Sequence, residues 1–167
     1  MGKEMLFFYT SHLTWEGGKR GVLSNDKVPR LTVATPPEFR GPEGLWSPEQ
    51  LFVAAANACV MTTLLAIAEK SRLTIRSYSS TATGKLEKVE AEEMGIHEEG
   101  GLQITEIVIR PRLTVANEGD LGKAEKVLAK AEEQCLISRS LKCRVTVKPE
   151  ILVAPKAANA VEMAVRV

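Results

Sequence analysis

The stretch SPEQLFVAAANACVM, residues 47–61, decides the fold of this chain. Ser47 suits a helix N-cap, Pro48 suits the first helical position, and Gln50 stands where a capping box reaches back to the cap. From Leu51 to Ala68 apolar residues fall on nearly every face, which is typical of a helix buried on most sides. We therefore predict a central helix here.

Composition bounds the kind of protein. The chain has 167 residues, of which 44% are hydrophobic and 26% charged, as expected for one domain over residues 1–167. The formal charge of +1 predicts neither a nucleic-acid partner nor an anionic membrane partner. The apolar start at residues 1–9 is too short for a signal peptide, and Asn57, Thr62 and Thr63 interrupt the apolar helix. We expect a cytoplasmic protein without a membrane span.

The first 46 residues predict a strand meander and a loop. Residues 5–15 and 31–34 resemble strands, and the glycines of residues 16–19 favour a turn between strands. Residues 36–44 contain too much proline and glycine for regular structure, so they form a loop that leads into the helix.

The core continues from residue 47 to residue 153. Residues 73–86 and 103–115 predict two strands, joined by an acidic, glycine-containing loop at residues 90–101. A second helix is predicted over residues 120–134, because apolar residues recur there every three or four positions and Cys135 continues the stripe. The tail, residues 154–167, gives no clear prediction. The apolar face of the helix predicted over residues 120–134 comprises Leu121, Ala124, Leu128, Ala131 and Cys135.

Three cysteines in a chain without an export signal argue against a structural disulfide framework and for free or catalytic thiols. Cys143 shares a strand face with Val145 and Val147, so we expect it in the core. A buried cysteine such as Cys59 is most often a small packing residue. The polar residues around it instead favour a helix face that borders a pocket or an interface.

To act as a nucleophile, Cys59 must be a thiolate, and an ordinary thiol with a pKa of about 8.5 is mostly protonated at neutral pH. The helix dipole helps little in mid-helix, so the sequence calls for a cation from another segment. Arg40 is favoured because its loop leads directly to the helix, although for each candidate taken singly a solvated surface cation is the better interpretation. The candidates are Lys19, Arg20, Arg40 and Arg139.

Glu49 could orient such an arginine through a paired carboxylate contact. Ten positions at about 1.5 Å each separate it from Cys59 by roughly 15 Å, so the two side chains do not touch directly. Alternatively, Glu49 only favours the helix dipole. His12 and His97 lack metal-ligand spacing, and no glycine-rich phosphate loop is present, so no metal or cofactor is predicted. A cysteine hydrolase stays open without a visible triad.

Two segments resemble a known family. Residues 47–55, followed by Ala58-Cys59, closely resemble the helix signature of the OsmC/Ohr family of peroxide-resistance proteins. Cys135-Leu136-Ile137-Ser138 is similar to the second signature, in which a cysteine is usually followed by proline, one residue and serine. The resemblance runs from Trp15 to about Val153, and Leu136 departs from it by replacing the proline.

This resemblance implies an α+β fold with antiparallel sheets around two buried central helices in an intertwined homodimer. It also implies a thiol-dependent peroxidase for organic hydroperoxides or hydrogen peroxide. Cys59 would attack the peroxide, Cys135 would resolve the sulfenic acid as a disulfide, and a dithiol reductant, lipoyl-like in part of the family, would reset the pair. Neither metal nor flavin is implied.

The site residues that the family resemblance implies match this sequence to different degrees. Glu49, Cys59 and Cys135 match the signatures, whereas the activating arginine aligns either with Arg40, which we favour, or with Lys19-Arg20. Two other functions remain open, namely an OsmC-like binding or stress-adaptor protein and a thiol hydrolase of the same fold. All three depend on whether the two cysteines meet in the fold.

Overall fold

The structure is a computed structural model that describes residues 5–90 and 101–155. It combines two helices of 14 and 23 residues with two sheets, so the α+β class is confirmed. The chain divides after Ala54 into two compact units.

The first unit contains a three-stranded antiparallel sheet made of β1 (His12–Gly17), β2 (Arg20–Asn25) and β3 (Val28–Ala34). Gly17 and Gly18 make the turn between the first two strands with positive φ, a conformation that glycine adopts without steric cost. The predicted meander is confirmed. Its first strand begins at His12, and residues 5–11 have no regular structure.

The loop after β3 is folded back tightly on itself. A 3-10 turn at Pro37–Phe39 is followed by Arg40 at φ 63°. A Cβ atom on Gly41 would fall 1.5 Å from the carbonyl oxygen of Thr35, so only glycine fits there without rearrangement. The Ala34 N–H donates to the Trp46 carbonyl at 2.9 Å and ties the two ends of the loop together.

Helix α1 (Pro48–Lys70) begins as the sequence predicts. The Ser47 N–H donates to Gln50 Oε1 at 3.0 Å, and the Gln50 N–H donates to Ser47 Oγ at 3.2 Å. This reciprocal pair is a capping box, which satisfies two N–H groups that a helix start would otherwise leave without acceptors.

The burial of α1 differs from the prediction. Its fully buried residues recur every four positions and form a single stripe, whereas Leu65 is 43% exposed. The expectation of burial on most sides is therefore wrong for the single chain, because one chain offers a packing partner to one face only. Among the described residues, α1 alone is long and apolar enough to cross a membrane, a test that core helices also pass. The buried stripe of α1 comprises Ala56, Val60, Leu64 and Ala68.

The sheet of the second unit is mixed. Strands β4 (Ile75–Val89) and β5 (Gly101–Val115) pair antiparallel, whereas β6 (Arg144–Val147) and β7 (Glu150–Val153) both run parallel to β5. The expectation of antiparallel sheets is thus wrong for this sheet. The physical reason is the long helical crossover after β5, which returns the chain to the middle of that strand in the same direction.

That crossover consists of α2 (Leu121–Gln134) and the short α3 (Leu136–Ser140). The buried face of α2 packs with α1, β5 and Leu73 in the core of this unit. Glu132 fixes the end of α2, because its carboxylate accepts the Val147 N–H of β6 at 2.8 Å. Cys143 is buried, as predicted. The core residues are Leu64, Ala68, Leu73, Leu113, Val115, Ala124, Val127, Leu128 and Ala131.

Most of the predicted loop at residues 90–101 and of the tail at residues 154–167 lies outside the described residues. The two predicted strands on either side of that loop are present, and each is longer than the sequence indicated.

Candidate active site

Two thiols from remote segments lie together in the second unit. Cys59 comes from the middle of α1 and Cys135 from the junction of α2 and α3, and both are free. The Ile137 N–H donates to Cys59 Sγ at 3.5 Å, and the Ser138 N–H donates to Cys135 Sγ at 3.5 Å. Each of the two thiols also shifts the pKa of the other. The fold therefore brings the two predicted cysteines close together, at the successive N–H groups of Ile137 and Ser138.

Cys135 is held by the backbone that it interrupts. It ends α2 in an extended conformation, with φ −62° and ψ 113°, and it is the N-cap of α3. Its carbonyl oxygen accepts the Arg139 N–H at 3.0 Å while its sulfur accepts the Ser138 N–H. A sulfur thus takes the place that a hydroxyl or carboxylate oxygen takes at most N-caps, although sulfur is a weaker acceptor.

The polar residues around Cys59 have three different roles. Asn57 links α1 to β4, since its Oδ1 accepts the Ser80 hydroxyl at 2.7 Å. Thr62 donates to the Cys59 carbonyl of its own helix at 3.1 Å. Only Thr63 borders the thiol, with its hydroxyl oxygen 4.0 Å from Cys59 Sγ. The sequence therefore indicated the correct face of α1, although only Thr63 among these three polar residues contacts the Cys59 sulfur.

The two thiols have opposite electrostatic surroundings. Burial by itself raises the pKa of Cys59, but hydrogen bonds from Ile137 N–H, Cys135, Thr63 and Leu136 N–H together lower the pKa below that of an ordinary thiol. Burial raises the pKa of Cys135, and the neighbouring Cys59 sulfur raises it further despite the hydrogen bonds from Ser138. The arrangement favours a thiolate on Cys59 and a protonated thiol on Cys135.

Backbone N–H groups supply part of the stabilisation of the Cys59 thiolate that the sequence led us to expect from a cation. Among the described residues, none of the groups that lower the pKa of Cys59 is an arginine or lysine. Leu136 and Ile137 were missed because every residue carries an N–H group, so residue type gives no signal. The available clue was the break in the helical pattern at Cys135, since the first turn of a new helix leaves its N–H groups without helical acceptors.

The other two predicted site residues belong to the first unit. Arg40 is exposed and follows the 3-10 turn with positive φ. Glu49 is half-buried in the first turn of α1, and its Oε2 is buried without a hydrogen-bond partner among the described residues. A buried carboxylate oxygen of this kind suits a charged hydrogen-bond donor. The catalytic roles of Arg40 and Glu49 stay predictions.

The alternative cations have other contacts or lie in solvent. Lys19 donates to the Phe39 carbonyl, Arg20 pairs with Glu16 at 3.8 Å, and Arg139 is exposed near the end of α3. In the described part of the chain, no three or more His, Cys, Asp or Glu side chains are grouped as a metal site. Burial raises the pKa of Cys143, so this thiol stays protonated.

The geometry defines a dithiol site in an α+β domain, and sequence comparison gives its family. The OsmC-like protein family model matches residues 41–150. The chain therefore belongs to the OsmC-like family.

Individual relatives agree with this assignment. The uncharacterized protein YmaD of Bacillus subtilis is 27% identical over 147 residues, which cover 81% of this chain and 87% of YmaD. An OsmC-like protein of unknown function from Vibrio cholerae has a TM-score of 0.76 at 23% identity, over 87% of this chain and 100% of that chain. An organic hydroperoxide resistance protein, OsmC, from Legionella pneumophila has a TM-score of 0.64 at 26% identity, over 89% and 100%.

Proposed function

We propose that this protein is a thiol-dependent peroxidase that reduces organic hydroperoxides or hydrogen peroxide in oxidative-stress defence. The observation that carries the proposal is the proximity of Cys59 and Cys135, whose sulfurs accept from the successive N–H groups of Ile137 and Ser138 and whose pKa values are shifted in opposite directions. A thiolate beside a protonated thiol is suited to a two-step reduction. The name of the Legionella relative also supports it.

In the first step the Cys59 thiolate attacks one peroxide oxygen, and the O–O bond breaks. An S–O bond forms, the alcohol leaves after taking up a proton, and Cys59 becomes a sulfenic acid. In the second step the Cys135 sulfur, after losing its proton, attacks the Cys59 sulfur. The S–O bond breaks, water leaves, and a Cys59–Cys135 disulfide forms. Two thiols and one peroxide thus give one disulfide, one alcohol and one water.

A dithiol reductant completes the cycle by thiol–disulfide exchange, in which it becomes a disulfide and both cysteines become thiols again. A lipoyl-like dithiol fits this role. The proposal includes Arg40 as the cation that further activates Cys59 and Glu49 as the residue that orients it. Both assignments depend on the resemblance of their sequence positions to the family signature.

We further propose that the protein works in the cytoplasm as a homodimer. Exposed apolar surface supports the dimer: Leu65 is 43% exposed on α1, and the side chains of Met5–Tyr9 are 69–95% exposed. Apolar surface of this extent on one chain is typical of an interface.

The test is peroxide consumption by the reduced protein. Purified protein is treated with one equivalent of cumene hydroperoxide, and its thiols are then mapped by mass spectrometry. We expect a Cys59–Cys135 crosslink in the wild type, a stable Cys59 sulfenic acid in Cys135→Ser, and no peroxide consumption in Cys59→Ser. Cys143→Ser is the matched control and should behave like the wild type.

Other outcomes would point to the alternative functions. If both thiols remain titratable after peroxide treatment, the peroxidase proposal fails and a binding or adaptor role is favoured. If an activated ester instead leaves an acyl group on Cys59 and no crosslink forms, a thiol hydrolase is favoured.

A further inference from the structure

Two adjacent threonines of α1 use their hydroxyl groups differently. Thr62 donates to the Cys59 carbonyl oxygen at 3.1 Å, a common choice for a threonine within a helix. Thr63 instead places its hydroxyl oxygen 4.0 Å from Cys59 Sγ. Residues four positions apart lie one above the other on the same helix face, so α1 itself brings Thr63 to the sulfur. Among the described residues, this sulfur is the hydrogen-bond partner of the Thr63 hydroxyl.

We propose that Thr63 is a positioning residue, whose hydroxyl donates to the Cys59 sulfur and holds it as a thiolate. This inference rests on the proposed function and adds to it a residue of the helix that carries the reactive cysteine. Thr63 is half-buried, whereas Thr62 is exposed. Water therefore competes less for the hydroxyl of Thr63, and a hydrogen bond is electrostatically stronger where solvent is partly excluded.

The charge of the sulfur decides the direction of this hydrogen bond. Either atom can donate while Cys59 is a thiol, but a thiolate has no hydrogen, so the Thr63 hydroxyl is then the donor. A hydrogen bond to an anion is stronger than one to a neutral acceptor, so the contact favours the thiolate over the thiol. In agreement, the Thr63 hydroxyl is among the groups that lower the pKa of Cys59.

This hydroxyl complements a donor from another segment. The Ile137 N–H lies 3.5 Å from the same sulfur and comes from a position 78 residues away. That donor depends on the packing of the second unit, whereas the Thr63 donor depends on α1 alone. Cys135 is the titratable side chain that acts on Cys59 in the described part of the chain. It is present in every variant compared below, so its influence is common to all of them.

The experiment compares Thr63→Val with Thr63→Ser and Thr62→Val. Valine keeps the branched shape without the hydroxyl, serine keeps the hydroxyl, and Thr62→Val removes a hydroxyl that is bonded to the backbone. The rate of Cys59 alkylation by iodoacetamide in the reduced protein is followed by site-resolved mass spectrometry from about pH 5 to pH 10. We expect the midpoint of Thr63→Val to move to higher pH, with alkylation below the midpoint slower by about two- to fivefold. Thr63→Ser and Thr62→Val should keep the midpoint of the wild type.

Equal midpoints in Thr63→Val and Thr63→Ser, or the same shift in Thr62→Val, would overturn the inference. If circular dichroism shows that Thr63→Val does not fold, Thr63→Ala removes the same hydroxyl with a smaller side chain. Its midpoint, compared with that of Thr63→Ser, then decides in the same way. If the midpoint shifts as expected but the wild type consumes no hydroperoxide, the inference stands and the proposed function fails.

Discussion

The backbone N–H of Ile137 lies 3.5 Å from the sulfur of Cys59, although 78 positions separate the two residues in the sequence. The packing of α2 against α1 and β5 makes this approach possible, because it places the start of α3 at the middle of α1. The reactivity of a half-buried helix residue is therefore influenced by the first turn of another helix. Each part of this arrangement can be tested.

The first prediction concerns the pH dependence of stability. The folded state lowers the pKa of Cys59, so the thiolate stabilises the fold above the ordinary thiol pKa of about 8.5. This contribution is lost as the pH falls through the lowered pKa. Urea unfolding under reducing conditions should show the wild type gaining stability over Cys59→Ser as the pH rises. A difference that is constant with pH would contradict the lowered pKa.

The second prediction concerns Ser138. Its buried hydroxyl has no regular hydrogen bond among the described residues, yet it helps to keep the raised pKa of Cys135 from rising further. Ser138→Ala should therefore slow disulfide closure in a single turnover at neutral pH and change stability by less than about 1 kcal/mol. Ser140→Ala, on the same helix but with an exposed hydroxyl, is the control. Equal closure rates in the two variants would exclude a role for Ser138.

The third prediction concerns the start of α1. Ser47→Ala removes the side-chain acceptor for the Gln50 N–H and should lower the free energy of unfolding by about 1 kcal/mol. Ser47→Thr keeps a hydroxyl and should cost less. The measurement is chemical denaturation, and equal losses in the two variants would show that the capping box contributes little.

The fourth prediction concerns the loop that carries Arg40. Gly41→Ala places a methyl group against the Thr35 carbonyl oxygen, and the backbone must shift to accommodate it. We expect a loss of about 1–3 kcal/mol in the free energy of unfolding. Gly119→Ala is the control, because a Cβ atom there meets open space. If both variants unfold alike, the loop is not constrained at Gly41.

The fifth prediction concerns the homodimer. Leu65→Glu introduces a charge on the exposed apolar side of α1. If this face is part of the interface, burying that charge in the dimer is costly, and the variant should sediment as a monomer. Lys126→Glu changes an exposed residue of α2 and should leave the mass unchanged. A wild type that is itself monomeric at micromolar concentration would remove the dimer from the proposal.

The sequence determined what depends on near neighbours. Ser47 and Gln50 lie three positions apart, so the capping box and the start of α1 could be predicted from residue type alone. The stripe on α2 that continues to Cys135 was predictable for the same reason, since a helix repeats within four residues. The resemblance of two short segments was also sufficient to indicate the family.

The tertiary structure decided everything that joins remote segments. The parallel pairing of β6 and β7 with β5 depends on the path of a crossover, which local patterns do not encode. The donor that reaches Cys59 from the segment after α2 is the backbone N–H of Ile137, a group that every residue except proline possesses, so residue type gave no signal for it. Local preferences act over about one helical turn, whereas the approach of the two thiols requires the core of the second unit to pack.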